Sequence, residues 1–77
     1  MNKQKAMELL GEKSATGMAD VLGVSTQTVW NWTAEQELMP RYQRQVLAIA
    51  AKRALARGDE QQALHLISQI KEGWGYV

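Results

Sequence analysis

Gln27 and Asn31 are the residues of this sequence whose type and spacing best suit recognition of another molecule. Each ends in a primary amide that sets a donor beside an acceptor, and a separation of four puts both on one face of a helix. Amides so presented can pair bidentately with adenine in the major groove of a duplex, and they can equally serve only to solvate an exposed helix. Other chemistry is sparse. Without cysteine there is no disulfide and no thiolate for zinc or for nucleophilic attack. His65 is the single histidine, and Asp20 and Asp59 are the only aspartates that could help it hold a metal. Carboxylate pairs, nucleophile–base pairs and phosphate-binding loops are missing, so the expectation is a protein that is not an enzyme and uses no cofactor, metal or small-molecule substrate.

A net charge of +1 hides an uneven distribution. Successive blocks 1–13, 14–40, 41–57 and 58–77 carry +1, −3, +5 and −2. Arg41, Arg44, Lys52, Arg53 and Arg57 form the basic block, against which an anionic partner should lie. Arg41 and Arg44 are candidate phosphate contacts, together with the hydroxyls of Ser14, Thr16 and Thr28 at expected helix N-termini. Ser14 and Thr28 would also serve simply as caps, and a basic stripe can simply be solvated.

A length of 77 residues at 45% hydrophobic predicts one domain over 1–77. One proline among strong helix formers predicts an all-α fold of about five helices. The first fits Lys3 to Leu10, stopped by Gly11. Ser14 opens a second that runs to Leu22 and is ended by Gly23. A third begins at Ser25 and fades between Ala34 and Leu38. Pro40 suits the first turn of a fourth, which Gly58 closes. The fifth opens at Asp59, with Gln62 placed as in a capping box, and stops near Gly73. Arg41, Arg44, Gln45 and Lys52 share one stripe of the fourth helix, beside an apolar stripe of Tyr42, Val46, Ile49 and Ala50. Gly17 falls inside a helix at a cost of about 1 kcal/mol relative to alanine, which close approach of a phosphate or fraying would explain. No apolar run nears the ~18 residues of a membrane span, and the charged first ten residues do not resemble a signal peptide, so the chain reads as cytoplasmic, with no membrane partner.

The stretch from Ala15 to Thr33, ATGMADVLGVSTQTVWNWT, meets the constraints of two helices at a tight turn. Ala19 allows close approach, Gly23 supplies the turn, and Met18, Leu22, Val24, Val29 and Trp32 occupy interlocking positions. This predicts a helix-turn-helix over 14–34. In LGVSTQTVWNWT, followed shortly by MP, the sequence resembles phage Cro and CII-type regulators and the related YdaS-like Cro antitoxin group. The resemblance implies a lambda-repressor-like head whose helix from Ser25 enters the major groove of double-stranded DNA while the helix from Ser14 bridges the backbone. By position it implies that Thr26, Gln27, Trp30 and Asn31 face base edges, with Ser25 at the rim. Trp30 would touch a thymine methyl or else close the domain edge or meet a partner. Trp32 should point inward. The candidate recognition helix carries no Arg or Lys, a departure from the commonest guanine contact.

The C-terminal helices predict a hairpin in which Ala63, Leu66, Ile67, Ile70 and Trp74 pack on Val46, Leu47, Ile49 and Ala50. Leu66, Ile67, Ile70 and Trp74 are also candidates for joining a second copy as a homodimer. Two functions follow. One is a transcriptional regulator of phage or prophage type, most simply a repressor, acting in the cytoplasm at the host nucleoid. The other is a protein-interaction module or antitoxin-like accessory factor that uses Trp30, Trp74 and Tyr76 as an aromatic patch.

Overall fold

Hydroxyls, amides and glycines set the limits of five helices in a computed structural model that describes the backbone of residues 1–74 and the side chains of residues 1–70. Helix α1 spans Lys3–Leu10, α2 Ala15–Leu22, α3 Thr26–Asn31, α4 Pro40–Ala56 and α5 Glu60–Trp74. Asn2, Ser14 and Ser25 each turn a side-chain oxygen onto the N–H three residues ahead, satisfying one of the donors a helix start leaves open. Asp59 does the same for the Gln62 N–H at 3.2 Å. Helix α4 has no side-chain cap, and Pro40 at its start removes one of the orphaned donors. Among the described residues the fold is all-α, with one isolated bridge between Asn2 and Glu37.

Helix α4 is the axis of the molecule. Tyr42 and Val46 belong to a core with Ala6, Leu10, Met18, Ala19, Leu22, Val29 and Leu38. Leu47, Ala50, Ala51 and Ala54, also on α4, close a second core with Ala63 and Leu66 of α5. Alanines along this seam let the two helix backbones approach closely. The expected hairpin is present with a shifted register: α5 meets Leu47, Ala50, Ala51 and Ala54, while Val46 and Ile49 face the N-terminal head. Burial in the first core fixes α1, α2 and α3 around one end of α4.

Helix α3 is shorter than the sequence predicts. It ends at Asn31 rather than fading between Ala34 and Leu38, because Trp32 takes an extended backbone with φ −74° and ψ 125°. The Trp32 ring tilts at 56° against Tyr42, centroids 5.2 Å apart. Trp32 is thus half-buried at the edge of the core rather than within it. The segment from Thr33 to Met39 is anchored by Leu38, which is 2% exposed. Its N–H donates to the Met1 carbonyl at 2.9 Å, and its carbonyl accepts from Gln43 Nε2 at 2.6 Å.

Candidate nucleic-acid interface

The α2–α3 pair is built around Gly23, whose φ of 71° is a conformation that a side chain penalises. It lets the Val24 N–H fold back onto the Ala19 carbonyl at 3.0 Å, closing α2 and launching α3 after a turn of three residues. Ala19 and Met18 below the turn and Val29 above it are all buried, so the two helices are locked to each other by shape.

Carbonyl ends of the head helices are covered by long side chains from elsewhere in the chain. Lys3 Nζ donates to the Trp32 and Val29 carbonyls at 2.8 and 3.3 Å, at the end of α3. Gln45 Nε2 donates to the Leu22 carbonyl of α2 at 2.9 Å, and Arg53 to the Leu10 carbonyl of α1 at 2.7 Å. Each supplies a donor at a helix end, where backbone acceptors outnumber donors, although the Val29 carbonyl also accepts from the Trp32 N–H at 3.1 Å, and the two cations also suit the negative end of a helix dipole.

What α3 shows to solvent is Gln27, Trp30 and Asn31, all exposed, with Trp30 at 68%. Helical spacing sets these three within an arc of about 100°. Val29, Thr28 and Trp32 turn to the opposite side, and Thr26 is half-buried at the border. Gln27 Nε2 donates to Asn31 Oδ1 at 3.0 Å. Nothing among the described residues covers this face, which holds amides and an indole and no charge.

Ser25, placed by resemblance at the rim of a groove, is engaged as the cap of α3: its Oγ accepts from the Thr28 N–H at 3.1 Å and shares a hydrogen bond with Thr28 Oγ1 at 2.9 Å. Thr28 therefore spends its hydroxyl within the chain. Ser14 Oγ accepts from the Gly17 N–H at 3.1 Å, and Thr16 beside it is exposed.

The basic block does not make one patch. Arg41 lies 4.7 Å above the Tyr42 ring and donates to its hydroxyl at 2.8 Å, which fixes a cation beside the Trp32–Tyr42 contact. Arg44 lies elsewhere, in a cleft of about 210 Å³ with Gln43, Leu47, Gln69 and Ile70 between α4 and α5. Arg53 pairs with Glu12 at 2.9 Å and Arg57 with Asp59 at 3.8 Å. Helical spacing sets Arg41 and Arg44 on one side of α4 and Arg53 and Arg57 on another, and the different neighbours of each keep the cations apart. Lys13, exposed immediately before the Ser14 cap, is a basic residue that the sequence reading passed over; its only signal was adjacency to that cap.

Of the residues expected at a dimer seam, Leu66 is 2% exposed inside the α4–α5 core and Ile70 is packed against the same core, so neither presents a free surface. Ile67 is 38% exposed, and Leu64, absent from the expected set, is 67% exposed. The Trp74 and Tyr76 side chains lie outside the described residues. His65 bonds Gln69 at 2.8 Å, and no group of three potential metal ligands occurs among the described residues. No helix there is long and apolar enough to cross a membrane. In comparisons with family models, curated proteins and solved structures, the chain matched none.

Proposed function

We propose that the chain is a small sequence-specific double-stranded DNA-binding regulator of the phage type its sequence resembles, acting by occupying an operator. The observation that carries this reading is the uncovered amide-bearing face of α3, set on a two-helix scaffold whose inner sides are buried. A six-residue helix is about 9 Å long, short enough to sit whole within a major groove about 12 Å wide. Gln27, Trp30 and Asn31 form the face turned toward base edges, with Thr26 at the border. Arg41, Ser14, Thr16 and Lys13 are the backbone contacts this placement favours, and Arg44 is demoted by its position against α5. A homodimer, joined through Leu64 and Ile67 on the outer side of α5, supplies two reading heads.

Binding to a duplex, titrated at several salt concentrations, tests the reading. Affinity falls along a log–log line whose slope is about 0.9 per phosphate neutralised. A flat response removes DNA as the partner and favours a protein-binding role, for which the exposure of Trp30 is the specific support.

A further inference from the structure

We infer that Gln27 and Asn31 work as one unit, in which Asn31 contacts an adenine and Gln27 is a positioning residue that fixes which way the Asn31 amide faces. The inference rests on the DNA-binding reading and goes beyond it by dividing the labour between two side chains. Gln27 Nε2 donates to Asn31 Oδ1 at 3.0 Å across one helical turn, with both residues exposed. That bond uses one of the two lone pairs on Oδ1 and leaves the second, together with both hydrogens of Nδ2. One acceptor and one donor side by side match N6–H and N7 on the major-groove edge of adenine. Guanine offers acceptors at both positions and meets Oδ1 as acceptor against acceptor. Turned over, the Asn31 amide would set Oδ1 against N7 of guanine, again acceptor against acceptor, so neither orientation gives guanine two bonds, and the Gln27 bond holds Asn31 in the orientation that gives adenine two.

In water an exposed amide–amide bond adds little net stability, because either group exchanges freely with solvent. Inside a groove that excludes water the same bond strengthens, and rotation of Asn31 is already restricted before contact. Asn31 closes a helix whose neighbouring carbonyls are held by Lys3, so the base of the side chain is also fixed.

The test uses duplexes selected by the whole chain from a random pool, with 7-deazaadenine placed at one adenine at a time to delete N7. At one position the replacement weakens binding about tenfold or more. Asn31→Ala loses a similar factor on the natural duplex and becomes indifferent to that replacement. Gln27→Ala loses a smaller factor, which disappears in the Asn31→Ala background. Thermal melting of both variants stays at the parent value, since neither side chain is buried. Insensitivity to every 7-deaza replacement, or a Gln27→Ala loss that persists in full without Asn31, overturns the division of labour while duplex binding stands. Absence of any salt-dependent duplex binding overturns the function itself, and the two failures are therefore told apart.

Discussion

Gly17 has a cause that its position in the sequence does not disclose. A methyl group at this point would meet Glu12 Oε1 at 2.3 Å, so the space beside Gly17 is occupied by the chain's own carboxylate. The same carboxylate pairs with Arg53, which in turn holds the Leu10 carbonyl, and glycine there gives the link room to close. The intruding atom is the far end of a flexible side chain and can swing aside. Gly17→Ala should therefore stabilise the fold by about 0.5 kcal/mol through helix propensity, raising the thermal midpoint by roughly 2 to 4 °C. Duplex affinity should hold within about twofold, since no phosphate is needed to account for the glycine. A lowered midpoint would mean that the Glu12–Arg53 link depends on its seat over Gly17. A large loss of affinity with the midpoint raised would return the phosphate explanation.

At the scale of elements, α3 is the one that cannot stand by itself. Six residues fall well short of the ~12 at which isolated helices become even marginal in water, so tertiary anchors must hold it. Val29, fully buried, is one; Lys3 Nζ on the Val29 and Trp32 carbonyls is the other. Lys3→Met should cost about 1.5 kcal/mol in denaturant unfolding and should reduce affinity for a selected duplex more than for a random one, with Lys3→Arg recovering most of both. Equal loss on the two duplexes would leave Lys3 a purely structural residue. This anchor also explains where the sequence was legible. The starts of α2, α3 and α5 were readable because Ser14, Ser25 and Asp59 act on N–H groups three residues away. The end of α3 was not, since its determinants are a lysine 29 positions earlier in the chain and an aromatic partner on α4. Amide exposure followed from helical period alone, which is why Gln27 and Asn31 could be named from spacing. Leu66 lies in the α4–α5 core as the expected hairpin has it, and that burial is why it offers no surface to a second copy; the position of Arg44 beside α5 depends on the alanine seam, because periodicity assigns faces without saying what each face meets.

For the whole molecule, the unanswered demand is apolar surface. A domain of this length buries only about 60% of what its unfolded chain exposes, and Leu55, Leu64 and Ile67 remain open at 54%, 67% and 38%. Leu64 and Ile67 lie one turn apart on α5, outside the seam with α4, so a second copy can cover them without disturbing the core. The domain measures 32 × 30 × 20 Å, close to the roughly 34 Å that separates successive major grooves on one side of a duplex. Two heads side by side are therefore about the right size for adjacent half-sites. Replacing Leu64 and Ile67 together by lysine should leave helix content unchanged and convert a dimer to a monomer in sedimentation at tens of micromolar. Affinity for a duplex with two half-sites should fall to that for one, because the second head no longer binds at a raised effective concentration. If the parent chain sediments as a monomer while occupying a two-half-site duplex with no cooperativity, each head acts alone and the outer side of α5 has another use.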